Sequence, residues 1–331
     1  ITQYKAQLLS IDDNQFEHLA LEVFEMQYHA NTIYRRFCDL LQRKPTSVRS
    51  IYEIPFLPVD LYKTHSIRSS YSHSNTPDEA TPYFETSSTT GQVPGRHYVP
   101  DLAWYDKVSF RIFEEQWGKP SQYCILALLP SYLEREHSSL VHMTQMLMKA
   151  SDHIDNGFYL HDTNFLSHKL AQLEAQGQKT LLLGVTYALL DFATQYPMPL
   201  SHCTVMETGG MKGRKQEWTR SQVHQHLSQA FNLPFIASEY GMTELLSQAY
   251  AKAEGIYSSP PWMRILLRDI NDPQEVGQCE RGLVNIIDLA NIDSCCFVAT
   301  QDIGVLHNAH RFEILGRADY AELRGCSLLS V

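Results

Sequence analysis

Residues 83–100 read YFETSSTTGQVPGRHYVP. Within them Thr86, Ser87, Ser88, Thr89, Thr90 and Gly91 form a run of small hydroxyl residues ending in glycine. Small residues let the backbone curl closely around an anion, so that amide N–H groups and hydroxyls converge on phosphate oxygens. The run reads as a phosphate cradle; the competing reading is a Ser/Thr-rich surface turn. It lacks the G-x-x-x-x-G-K-[ST] spacing and is therefore not a Walker-type loop.

C-terminal to this run, short apolar stretches alternate with helical patterns. Tyr123 to Leu129 (YCILALL) predicts a buried strand, Ser138 to Ala150 a helix, Lys179 to Gly184 (KTLLLG) a strand and Ser221 to Phe231 a helix. Such alternation favours an α/β fold with a largely parallel sheet. Beyond Pro260 the stretches WMRILLRDI and GLVNIIDLA, punctuated by Gly, Pro and Asp, predict a smaller β-rich subdomain. On the N-terminal side, apolar residues from Phe16 to Leu41 recur at three- and four-residue steps, which predicts one amphipathic helix closed by Pro45. IYEIPFLPVDLYK, with Pro55 and Pro58, reads as an extended connector laid on the core, and Ser66 to Pro82 as a surface loop.

The 331 residues suit one large domain or two closely packed ones. Hydrophobic residues make up 44% and charged residues 19%, enough for a sizeable core and too little charge for a disordered chain. Lys+Arg 27 against Asp+Glu 37 gives −10 with no long cationic run, which argues against nucleic acid or an anionic membrane as the main partner. Seven cysteines, an odd number spread through the chain, do not form a disulfide framework, and a reducing cytoplasm is expected. The N-terminal residues carry acids where a secretory segment needs an apolar block, and CILALL and LLLGV are too short to span a bilayer. A cytoplasmic protein without membrane insertion is the expectation.

Further along, Ser238 to Glu244 reads S-E-Y-G-M-T-E, Asp302 to Gly304 D-I-G, and Gly316 to Asp319 G-R-A-D. In this order and at these distances the segments resemble the adenylate-forming superfamily, whose members share a T-S-G-T-T-G loop, a Y-G-x-T-E segment, a T-G-D-type aspartate and a G-R-x-D hinge. With the IPFLPV connector and the close G-R-A-D-Y-A-E-L-R-G-C-S-L-L, nearly the whole chain most resembles the acyl-protein synthetases of the LuxE type. That resemblance implies an α/β adenylate-forming large domain: parallel sheets with flanking helices plus a small β-rich subdomain. The implied organisation is an N-terminal helical region and connector over 1–80 and a core over 81–316 that turns β-rich from about 260. A hinge-like tail over 317–331 carries Cys326.

The resemblance also implies roles. The Thr86 to Gly91 loop would hold the β- and γ-phosphates of ATP, Tyr240 would pack beside the adenine with Gly241 next to it, and Thr243 would hydrogen-bond the α-phosphate. Glu244 would bind Mg²⁺, a hard cation suited to one carboxylate plus phosphate oxygens. Asp302 and Arg317 would grip the ribose hydroxyls. The bland alternatives are a core aromatic for Tyr240, a surface helix residue for Glu244 and a turn former for Asp302. Ser88 departs from the middle glycine of T-S-G-T-T-G and tolerates fewer backbone conformations. Full-length superfamily enzymes continue into a mobile lid bearing a lysine; this sequence stops fourteen residues after Arg317, so the lid is expected to be lacking. Lys212, Arg214 and Lys215 in G-G-M-K-G-R-K offer a substitute cation or an ordinary basic loop.

An acyl-adenylate needs a thiol acceptor, and a thiolate is a far better nucleophile than a hydroxyl near neutral pH. Cys326 is the candidate; nine residues separate it from Arg317, an extended reach of about 30 Å. Its bland reading is a small buried hydrophobe. Cys38, Cys124 and Cys203 read as core residues, and adjacent Cys295 and Cys296 form no C-x-x-C zinc pair. His224 and His226 point to different helix faces; His307 and His310, near the Asp302 segment, read either as aids to proton transfer or as solvated loop histidines, with no spacing rule to select them. The activity that the resemblance implies is ATP-dependent activation of a carboxylic acid, expected to be a fatty acid, with transfer to Cys326 and onward to an acyl-accepting reductase or carrier protein. The alternatives are a ligase using an external CoA or carrier thiol, and a degenerate nucleotide- or acyl-binding subunit.

Overall fold

The computed structural model describes residues 1–70, 81–86, 94–131, 133–209, 218–277 and 279–318. Helices α1 (Thr2–Leu8), α2 (Asp13–Ala30) and α3 (Thr32–Leu40) precede strands β1 (Leu57–Pro58), β2 (Tyr83–Glu85) and β3 (Arg96–Tyr98). Then follow α4 (Leu102–Trp117), β4 (Cys124–Leu128), α5 (Ser139–Ser151), β5 (Gly157–Phe158), α6 (Thr163–Ala175) and β6 (Thr180–Val185). Next come α7 (Thr186–Gln195), β7 (Cys203–Thr208), α8 (Arg220–Phe231) and β8 (Ala237–Tyr240). The chain ends in strands β9 (Ala249–Ala251), β10 (Ile256–Ser258), β11 (Met263–Arg268), β12 (Arg281–Asp288), β13 (Phe297–Leu306) and β14 (Arg311–Arg317). The described residues form two compact units: one gathers those within 1–83, 94–100 and 259–318, the other those within 84–86 and 101–258.

The second unit holds the parallel sheet, in the order β5-β4-β6-β7-β8, with β9 and β10 added antiparallel beyond β8. Strands β4 and β6 are near-continuous apolar runs because helices cover both faces of a parallel sheet. Leu126, Leu182 and Val205 line up across β4, β6 and β7 and pack with Leu189 and Phe192 of α7 and Leu227 and Phe231 of α8. Each such leucine contributes about 2–5 kcal/mol against truncation to alanine. The helices start where their caps dictate: Ser138 caps α5, Asp162 caps α6, and Thr219 with Gln222 makes a capping box on α8.

The first unit is an antiparallel meander β11-β12-β13-β14, with β1 parallel to β13 at Leu57↔Val298. Helices α2 and α3 are tied to the loop before β13 by two buried amides. Gln27 donates to Ile292 O at 3.1 Å and accepts from Cys296 N at 2.8 Å; Asn31 donates to Ser294 O at 3.1 Å. Tyr34 stacks on Phe297, and Phe24 meets both rings edge-on.

The strands and helices predicted from Tyr123 to Phe231 are found within a residue or two, as is the β-rich end. Three local expectations are corrected. The helix predicted from Phe16 to Leu41 is two helices, because Asn31 leaves helical geometry (φ −110°, ψ 105°) to cap α3 with its side-chain oxygen. The connector is extended only at β1, flanked by 3₁₀ turns Ile51–Glu53 and Val59–Lys63. The start of the predicted surface loop is buried at Ile67, Arg68 and Ser69, where Ser69 Oγ donates to Ser294 O at 2.7 Å. Among the described residues no helix is long and apolar enough to cross a membrane.

Candidate active site

In the second unit the chain leaves the C-terminal end of β8 at Tyr240 and returns through β9, pairing Tyr240 with Ala249. Between them lies a turn closed by Leu245 N donating to Met242 O at 3.2 Å, and it carries Gly241, Thr243 and Glu244. Glu244 is buried at 6% exposure, which removes its reading as a surface helix residue. Thr243 Oγ1 donates to Glu85 O at 3.4 Å, and Glu85 N donates to His137 O at 2.8 Å. The end of β2 is thereby fixed, and Phe84 reinforces it by packing against the rings of Tyr105 and His142 at 4.9 and 5.5 Å. The structure thus joins the Y-G-M-T-E turn to the residue that leads directly into Thr86. Ser87, Ser88, Thr89, Thr90 and Gly91 lie outside the described residues, as do Lys212, Arg214, Lys215 and Cys326.

Tyr240 is 8% exposed; its ring lies 5.7 Å from that of Tyr257, and its hydroxyl donates to Met242 Sδ at 3.7 Å. In the first unit, Asp302 and Arg317 are register partners across β13 and β14, with Arg317 Nε 3.6 Å from Asp302 Oδ1. Asp302 N donates to Thr300 Oγ1 at 3.1 Å. Gly304 of the D-I-G segment has no room for a side chain, since a Cβ would come within 2.8 Å of Val284 Cγ2 and 3.0 Å of Glu313 O. His307 pairs with Glu313 at 2.6 Å and His310 with Asp13 at 2.7 Å, so both are engaged in local pairs.

The family of acyl-protein synthetases, LuxE, matches residues 8–330. The chain belongs to that family. Membership carries an enzyme class, ATP-dependent acyl activation and transfer by an acid–thiol ligase. A long-chain-fatty-acid–luciferin-component ligase of Vibrio harveyi is 21% identical across 92% of this chain and 84% of its own. Among solved structures, ATP-bound MatB from Rhodopseudomonas palustris superposes with a TM-score of 0.52 at 15% identity, over 75% of this chain and 50% of its own. The chain therefore spans about half the length of MatB. An open conformation of 2-hydroxyisobutyryl-CoA ligase, in complex with 2-HIB-AMP and CoA, superposes with a TM-score of 0.65 at 12% identity, over 94% of this chain and 77% of its own. Both likenesses show the fold, that of adenylate-forming ligases.

Seen within this family fold, one buried network beside the turn was missed by sequence reading. Glu207 at the end of β7 accepts from Thr186 Oγ1 at 3.0 Å and pairs with Arg220 Nε at 3.2 Å and His224 Nε2 at 3.5 Å. Burial pushes Glu207 up, but the His224 hydrogen bond and the Arg220 charge outweigh it, holding the carboxyl below its ordinary range. Neighbouring Glu239 accepts from Thr208, and burial pushes it up to about 7, with the Glu207 charge adding to the rise. The available signal was two acids at the ends of strands CTVMET and ASEY, since carboxylates are seldom fully buried. His224 faces this network while His226 meets Thr194 and Trp218, as their two-residue spacing predicted. Cys38, Cys124 and Cys203 are core residues as expected; burial pushes the thiols of Cys38 and Cys124 up to about 12 and raises that of Cys203.

Proposed function

We propose that this ligase activates a fatty acid as its acyl-adenylate and passes the acyl group first to its own Cys326 and then to a partner protein. The observation that carries the site is the Thr243 hydroxyl bonded to the backbone at Glu85, which sets the Y-G-M-T-E turn against the chain entering Thr86. The turn lies at the carboxyl end of the parallel strand β8, the usual place for a ligand in such sheets, and Glu85, which leads into Thr86, is bonded to it. In this reading Thr86 to Gly91 hold the β- and γ-phosphates of ATP, Thr243 the α-phosphate, and Tyr240 with Gly241 the adenine. Asp302 and Arg317 hold the ribose hydroxyls.

A free carboxylate is a poor electrophile, so its oxygen attacks the α-phosphorus, the bond to pyrophosphate breaks, and AMP becomes the leaving group of a mixed anhydride. A thiolate then attacks the acyl carbon and releases AMP, leaving a thioester. Glu244 suits Mg²⁺, which binds through one carboxylate plus phosphate oxygens and water, and no group of three His, Cys, Asp or Glu able to hold a metal occurs among the described residues. Bound there, Mg²⁺ would neutralise charge on the triphosphate. The high thiol pKa values of Cys38, Cys124 and Cys203 make them poor acceptors. The Vibrio harveyi relative is named for joining a long-chain fatty acid to a luciferin component, which supports a long-chain acid as substrate and a protein as final acceptor, with a reductase as our proposed partner.

Incubation with ATP, Mg²⁺ and labelled fatty acid should give hydroxylamine-labile label on the protein that disappears in Cys326→Ser, while acid-dependent ATP–pyrophosphate exchange persists. Equal labelling of the variant overturns the acceptor; no exchange with any acid overturns the adenylation.

A further inference from the structure

Glu239 has no role in the chemistry above, yet its carboxyl is folded against the turn that does. Strand register sets Glu239 beside Thr208 of β7 and Tyr250 of β9. One oxygen accepts from the Thr208 hydroxyl; the other lies so close to Gly241 Cα that a Cβ there would overlap it. Only a glycine can follow Tyr240 while this carboxyl occupies its place. The groups facing it are Thr208 and Glu207 of β7, Tyr105 of α4, Tyr250 of β9 and Tyr257 of β10, with Arg220 and His224 of α8 engaged by Glu207. Among the described residues no cation pairs with Glu239, and the charge that acts on it is the carboxylate of Glu207.

We infer that Glu239 is a positioning residue: as an uncharged acid it packs beneath Gly241 and holds the Thr243–Glu244 turn in its working shape, and its ionisation loosens that turn. The uncharged carboxyl needs no counter-ion in this enclosure; a carboxylate there would meet Glu207 and three tyrosine side chains with no cation to offset the cost of burial. The raised proton affinity noted above is consistent with this packing. The consequence is an alkaline limb on adenylation that belongs to a residue outside the reacting atoms.

This inference rests on the adenylation reading for its effect on catalysis, so it is tested through structure as well as activity. Amide hydrogen exchange over 240–245, corrected for intrinsic rates, is measured at pH 6.0 and 8.5 in the parent and in Glu239→Gln. The parent should lose at least fivefold protection at the higher pH and the variant should not; equal losses in both overturn the proposal. Thr208→Val removes the hydrogen bond that favours the ionised form, so its loss of protection should move to higher pH. An unmoved midpoint overturns the proposal even if Glu239→Gln does not fold. ATP–pyrophosphate exchange should fall about tenfold per pH unit above the midpoint in the parent and stay flat in Glu239→Gln. If exchange is absent at every pH, the adenylation reading fails while hydrogen exchange still decides the role of Glu239.

Discussion

The turn after β8 and the pair across β13 and β14 support candidate site residues in opposite ways. The turn hangs from the end of a parallel strand covered on both faces, and Ser238, Glu239, Tyr240 and Glu244 are all buried. The pair sits at the margin of an antiparallel hairpin, where Asp302 is largely buried but the side chain of Arg317 is 55% exposed. Charge placed in the first setting must be neutralised or satisfied locally, whereas charge in the second is shared with solvent. Substitutions in the turn should therefore carry effects of several kcal/mol, and substitutions in the pair much smaller ones.

The largest expected effect is on stability against pH. Glu239 binds its proton up to about pH 7 when folded against 4.5 as its ordinary value. A group with a raised folded pKa favours folding below its unfolded pKa, and that contribution is lost as pH rises from about 4.5 through about 7. The full loss is about 3 kcal/mol, from 1.36 kcal/mol per pH unit. Glu239→Gln should escape it, becoming the more stable protein at pH 8.5 while matching the parent near pH 4.5; thermal melts of both across this range provide the check. A parent advantage that persists at pH 8.5 would place Glu239 with the solvated charges. Glu207 acts in the opposite sense, its stabilisation being lost as pH falls.

Next comes Glu244→Gln, which keeps the volume of a 6%-exposed side chain and removes its charge. Acid-dependent ATP–pyrophosphate exchange should drop on the order of a hundredfold, about 2.7 kcal/mol, with a higher Mg²⁺ requirement. Thr243→Val should cost about tenfold, because one hydrogen-bonding group is lost while the methyl shape is kept. If the valine variant falls further than the glutamine one, the hydroxyl's bond to Glu85 is a structural tie for the Thr86 segment more than a phosphate contact.

Much of this contrast was legible in the sequence, for reasons that differ by region. The β4 and β6 runs announce buried parallel strands because apolar residues fill both faces, and spacing alone aligns the helices between them. The resemblance to the adenylate-forming superfamily also singled out Asp302 and Arg317, which the meander makes register partners. The break at Asn31 was hidden because apolar periodicity runs straight through it; the deciding contact is with Ser294, 263 residues away in sequence. Burial of Ile67, Arg68 and Ser69 was hidden for the same reason, since polar composition says nothing about a partner at 293–294. The Glu207–Glu239 network was hidden because an acid beside a glycine turn is ordinary in sequence and becomes unusual only when β7 and β8 lie side by side.

The smallest effect expected is at the hairpin, and it bears most directly on the contrast. Arg317 Nε lies 3.6 Å from Asp302 Oδ1, long for a charge-assisted hydrogen bond, and more than half of the arginine side chain is in solvent. Such pairs contribute no more than about 1 kcal/mol, and salt screens them. Arg317→Ala should therefore lower the unfolding free energy obtained from urea titration by less than that amount, and the loss should shrink in high salt. If the arginine serves ribose hydroxyls, the same variant should raise the KM for ATP about fivefold and leave kcat nearly unchanged, since the contact is made equally before and during reaction. A fall in kcat with unchanged KM would mean that the hairpin acts on the transition state, and the division between a buried turn for chemistry and an exposed pair for binding would no longer hold.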